Sequence, residues 1–113
     1  MSILEADKID IIAVKGDSDV VNLIIADHLE WEDESHYSMI QDKVNYYINF
    51  IESNGLSSLP NLKIPVKPKI TISMALKHKP TIEAALFLGK VKNFLTSIDI
   101  DFIVDFHVER HIN

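Results

Sequence analysis

Residues 20–55 read VVNLIIADHLEWEDESHYSMIQDKVNYYINFIESNG, and the fold turns on how this run divides. Residues 20–26 are rich in β-branched side chains with Asn22 as the one polar interruption, which predicts a buried, central strand. An acidic bend carrying Trp31 follows. Asp33 or Glu32 then supplies a helix cap, and Glu32, Asp33 and Glu34 place carboxylates where a helix dipole favours negative charge. From there Tyr37, Ile40, Val44, Tyr47, Ile48 and Ile51 recur at spacings of three and four, so they form one stripe that must face a core. Asn54-Gly55 supplies a left-handed stop, with Leu56 placed to fold back. At about 1.5 Å per residue this helix is roughly 30 Å long, enough to cross a small sheet.

Met39, Tyr46 and Phe50, interleaved with His36 and Lys43, lie on an adjacent flank of the same helix. The apolar face is therefore wider than one sheet needs. Either the connection over residues 56–68 covers this flank, or another chain does.

Outward from that core the chain reads as follows. Residues 1–8 are a loose lead-in. Residues 9–14 (IDIIAV) form a short strand, and the turn residues Lys15-Gly16-Asp17-Ser18-Asp19 join it to the next strand as an antiparallel hairpin. After the long helix, residues 54–68 are a lengthy connection whose prolines, Pro60, Pro65 and Pro68, exclude a regular helix; residues 63–66 are at most an edge strand. From Lys69, Ile70, Ile72, Met74 and Leu76 alternate with Lys69, Thr71, Ser73 and Ala75, a strand with one wet face. Pro80 suits the first turn of a second helix, whose core stripe is Ala84, Phe87, Leu88, Val91, Phe94, Leu95 and Ile98. Ile82, Ala85, Leu86 and Gly89 lie elsewhere on that helix; its first two turns are expected to be buried against the preceding loop, or else to join an interface. A last strand, residues 101–109, turns Phe102, Val104, Phe106 and Val108 inward. The order ββαβαβ predicts one α+β domain over residues 1–113, a two-layer α/β sandwich with both helices on one face of a four-stranded mixed sheet.

Composition narrows the function classes. The 113 residues suffice for a core without staples, and the absence of cysteine excludes disulfides and thiol chemistry. The N-terminus has neither a basic region nor an apolar one, and no apolar run reaches membrane-spanning length, so a cytoplasmic protein is expected. A net charge of −6 argues against nucleic acid as a partner. Charge is also segregated: residues 27–52 hold seven carboxylates against Lys43, whereas residues 54–82 hold five lysines and no acid. Segregated charge steers association.

Two constellations invite chemistry. Asp27, His28, Glu32 and His36 include a spacing of four that lines metal ligands along one helix face, provided the helix starts early enough; otherwise the carboxylates cap and Trp31 packs as a staple. Asp105, His107, Glu109 and His111 share the outward side of the last strand, where Lys69, Thr71 and Ser73 neighbour them if the two strands pair; a solvated face is the plainer reading. Catalytic motifs are missing. Gly16, Gly55 and Gly89 are too scattered for a phosphate loop, there is no nucleophile elbow and no HExxH, and nothing marks a serine as activated.

The hairpin IDIIAV, the segment VNLIIADHLEWEDESH and the helix ending FIESNG resemble a family of small uncharacterised bacterial proteins with a DHL-acid-W segment and a helix ending in FIESG. The likeness spans residues 9–55. It implies a bacterial origin, directs suspicion to residues 27–31, and carries no activity with it.

These readings predict a non-enzymatic protein-binding module without a cofactor. Its concrete form is an immunity- or antitoxin-like protein that meets a basic partner with Glu30, Glu32, Glu34 and Asp42, anchored by Trp31 or Tyr37. The alternatives are a small metal-binding protein or metal-dependent enzyme using Asp27, His28, Glu32 and His36, and a homodimer paired through the Met39, Tyr46 and Phe50 flank or edge to edge between sheets.

Overall fold

The computed structural model describes residues 2–14, 19–59 and 68–106. Two strands, β1 (Ile11–Val14) and β2 (Val20–Asp27), pair antiparallel. Helix and strand then alternate through α1 (Ser35–Glu52), β3 (Lys69–Leu76), α2 (Ile82–Ser97) and β4 (Asp101–Phe106). The sheet order is β1-β2-β3-β4, with β2, β3 and β4 mutually parallel. This is the expected ββαβαβ sandwich.

Register builds the core in rows. Leu23, Ile72 and Phe102 stand side by side, and so do Ile25, Met74 and Val104. Ile40, Val44, Tyr47 and Ile48 of α1 and Ala84, Leu88 and Leu95 of α2 are buried in the same cluster. The helices share a groove of about 460 Å³ lined by Val44, Asn45, Phe87 and Val91, so both lie on one side of the sheet. Each fully buried aliphatic side chain contributes roughly 1.5–3 kcal/mol.

Helix ends follow local chemistry. Asn54, at φ 61°, takes the left-handed position that ends α1, one residue earlier than Gly55. Gly55 opens a 3-10 turn, Gly55–Ser58, where a Cβ would lie 2.5 Å from the Phe50 ring, and Leu56 folds back into the core. α2 begins at Ile82 because the Thr81 hydroxyl accepts the Ala84 N–H at 3.1 Å; Pro80 therefore precedes the helix instead of standing in its first turn.

Several expectations need correction. Residues 2–8 are no loose lead-in: Ile3 is 1 % exposed and its N–H donates to the Ala26 carbonyl at 2.9 Å. The wet face of β3 is closed at its centre, where Thr71 and Ser73 are buried and the Ser73 hydroxyl donates to Asn22 Oδ1 at 2.8 Å. On α2, Phe94 and Ile98 leave the core stripe for solvent, and Ile82 and Leu86 are 83 % and 66 % exposed, not buried. Val104 and Phe106 are likewise exposed, since β4 is the outer strand of the described sheet. The hairpin turn at residues 15–18, the edge strand at 63–66, and His107, Glu109 and His111 lie outside the described residues. Asp105 stands beside Ala75, and Thr71 beside Asp101.

Candidate functional site

The parallel strands β2 and β3 end at Asp27 and Leu76, and the segment from His28 to Glu34 crosses above their carboxyl ends before α1 begins. Asp27 is buried. Its Oδ1 accepts the Leu29 N–H at 3.1 Å, and its Oδ2 lies 2.6 Å from His36 Nε2. The other ring nitrogen of His36, Nδ1, lies 3.0 Å from the Glu30 carbonyl. A carbonyl only accepts, so Nδ1 carries hydrogen. The second proton lies between Nε2 and the Asp27 carboxyl, and the pair is neutral overall whichever of the two holds it. With both nitrogens occupied, His36 has no free lone pair for general-base work.

Trp31 completes the brace. Its indole stacks on the His36 ring, centroids 4.0 Å apart at 21°, and its Nε1–H donates to the His78 carbonyl at 3.1 Å. Tyr37 continues the aromatic run, 6.2 Å from Trp31 and 4.8 Å from Phe87 of α2. One short segment is thus tied to β2, to the residues after β3, and to both helices. Its polar side chains turn outward: His28, Glu30, Glu32, Asp33 and Glu34 are all exposed. Asp33 Oδ1 accepts the Ser35 N–H at 2.9 Å just ahead of α1, whose N-cap residue is Glu34 and not the expected Asp33 or Glu32; the helix starts two residues later than its expected beginning. Hydrogen bonds from the Ser35 backbone and hydroxyl hold the Asp33 carboxyl below its ordinary 3.8. A cleft of about 480 Å³ opens here, lined by His28, Glu30, Glu32, Asp33 and His78, with His36 at its base. Open α/β sheets commonly place ligands outside the carboxyl ends of their strands.

The residues singled out from sequence part into two groups. Glu30, Glu32 and Glu34 stand together and exposed, with Asp42 exposed further along α1. Trp31, at 9 % exposure, is an internal brace and offers a partner no anchor; Tyr37 is half-buried against Phe87. Of the metal candidates, Asp27 and His36 bind each other while His28 and Glu32 face solvent, and among the described residues no group of three or more His, Asp or Glu is arranged to hold a metal ion.

A second polar cluster escaped the sequence reading. Lys43, fully buried, donates to the carbonyls of Glu5 (2.6 Å) and Lys8 (2.7 Å) and to Asp10 Oδ1 (2.8 Å). Asp10 Oδ2 accepts the Ala26 N–H, while Tyr47 accepts the Asp10 N–H at 3.0 Å and donates to the Ile24 carbonyl at 2.7 Å. Burial pushes the Tyr47 hydroxyl pKa up. Among the described residues no buried side-chain nitrogen or oxygen lacks a partner. The signal was available: His36, Met39, Lys43, Tyr46 and Phe50 follow the same three-and-four spacing as the core stripe, which places Lys43 on a face that packs.

Fold and site together define a small α+β sandwich that presents an acidic, internally braced segment at the carboxyl ends of its parallel strands. The chain belongs to a family of unknown function, DUF6572, whose model matches residues 1–108. No curated protein and no solved structure matches it. Among the described residues no helix is long and apolar enough to cross a membrane.

Proposed function

We propose that the chain is a non-enzymatic protein-binding module whose docking surface is the carboxylate group Glu30, Glu32, Asp33 and Glu34, extended along α1 by Asp42, and whose partner is basic. One observation carries the reading. The carboxylates project from a segment pinned by Asp27–His36 and by Trp31, which favours a backbone already in place before any partner arrives. A preformed surface loses less conformational freedom on binding than a flexible acidic loop of equal charge. Carboxylates of one sign also raise the association rate of a basic partner. The narrower form, an immunity- or antitoxin-like protein from a bacterium that covers a basic toxin domain, rests on the small size and net charge of −6 together with this surface. Of the two anchors chosen from sequence, Tyr37, half-buried against Phe87, is kept, and Met39, which lines the cleft, takes the place of Trp31.

The test is affinity capture on the tagged protein, run beside a Glu30→Gln/Glu32→Gln/Glu34→Gln variant and at two salt concentrations. A basic protein retained by the parent, and lost both by the variant and at high salt, supports the reading. Equal capture by parent and variant removes it.

A further inference from the structure

We infer that the edge formed by β4 and α2 is a two-fold contact with a second copy of this chain. β4 has one neighbour among the described strands, so its outer edge offers backbone N–H and C=O groups to a pairing strand. Unguarded edges are normally blunted by lysine, proline or inward-pointing charge. β4, DFIVDF, has none of these: its acids Asp101 and Asp105 share the face away from the helices, and Val104 (37 %) and Phe106 (39 %) are exposed on the helix side. Beside them a groove of about 260 Å³ runs between β4 and α2, lined by Ala85, Leu88, Gly89, Lys92, Phe102 and Val104.

Self-pairing fits this edge in charge and in shape. A two-fold axis perpendicular to the sheet makes the two β4 strands antiparallel and keeps both helix layers on one side. Two registers give the longest overlap. Centred on Ile103, Asp101 would face the second copy's Asp105, which is unfavourable; centred on Val104, Phe102 meets Phe106, Ile103 meets Asp105, and no two acids oppose. The same axis brings the helices together. Strands pair about 4.8 Å apart and α2 lies inboard of β4, so the two α2 helices approach to roughly 10 Å, the distance of packed helices.

α2 turns small residues to that contact. Ala84, Leu88 and Leu95 face the sheet, Phe87 and Val91 face α1, and Ala85 and Gly89 are left on the β4 side. A Cβ at Gly89 would meet nothing within 4 Å in the single chain. An edge about 24 Å long and two layers deep buries on the order of 1,000 Å² in total, the low end for specific interfaces and the size class of weak, transient contacts.

Sedimentation velocity on the full chain, from about 1 to several hundred micromolar, reads this directly. The parent is expected to shift from monomer to dimer across that range. Gly89→Glu fills open space in the monomer, so the fold survives, and it should abolish the dimer; Val104→Lys, which sets two cations across the axis, should do the same. Leu86→Glu is the control, because Leu86 points away from both sheet and edge; it should leave the dimer unchanged. Circular dichroism confirms that each variant is folded. A parent that stays monomeric throughout, a dimer that survives Gly89→Glu and Val104→Lys, or a dimer lost on Leu86→Glu overturns the proposal.

Discussion

α1 is the more polar of the two helices, yet it buries His36, Lys43 and the hydroxyl of Tyr47; α2, with Glu83 as the one charge in its first two turns, leaves Ile82 and Leu86 in solvent. Partners explain the inversion. The polar groups of α1 are placed where two irregular segments must be held, residues 2–10 on one side and residues 28–34 on the other, and they provide hydrogen bonds that such backbone cannot make within itself. α2 joins adjacent parallel strands and holds no such segment. Its core stripe is narrow, and the rest of its apolar surface remains outside. Burial in this protein follows the availability of partners as much as hydropathy.

The sharpest break in that contrast is Lys43→Ala. It leaves the Asp10 carboxylate buried without its cation and two carbonyls without a donor, so unfolding free energy should fall by about 3–5 kcal/mol in urea titrations. A loss under about 1 kcal/mol would mean that water replaces the ammonium and that the N-terminal segment is held by Ile3 instead. Next comes Trp31→Ala, expected to cost about 3 kcal/mol through lost packing and the lost bond to His78. It should also loosen residues 28–34, seen as faster amide exchange there. Unchanged exchange would remove the brace from the argument for a preformed docking surface.

α2 supplies a paired test. Leu95→Ala, at a buried position, should cost about 2–5 kcal/mol, whereas Leu86→Ala on the same helix should stay within about 0.5 kcal/mol. Equal losses would show that something covers Leu86. The smallest effect concerns acid. The Asp33 carboxyl titrates lower in the folded chain than its ordinary 3.8, so its contribution is present above that value and disappears as pH falls through the folded pKa. Thermal melts between about pH 6 and 2 should therefore fall slightly less steeply in Asp33→Asn than in the parent.

The same contrast explains what was readable in the sequence. Strands β2 and β3, the stripe Ile40–Val44–Tyr47–Ile48 and the element order were legible because each is a local periodicity that the core enforces. The Asp10–Lys43 bridge was not, since its partners are 33 residues apart and nothing in the neighbourhood of either names the other. Trp31 read as an available anchor because acids surround it in sequence; the indole turns inward onto His36 while those acids turn out. Phe94 and Ile98 read as core by spacing alone. Phe94 lies instead on the open groove between the two helices, and Ile98 caps α2 where the helix ends, so spacing along the helix does not report what stands opposite.

The Asp10–Lys43 bridge also sets an order on synthesis. Ile3 to Asp10 leave the ribosome before their partners Ala26, Lys43 and Tyr47, so they stay unsatisfied until α1 has emerged and docked. The earlier-made side of this contact is thus the later to be secured, and a change within residues 3–10 acts on the middle of the long helix.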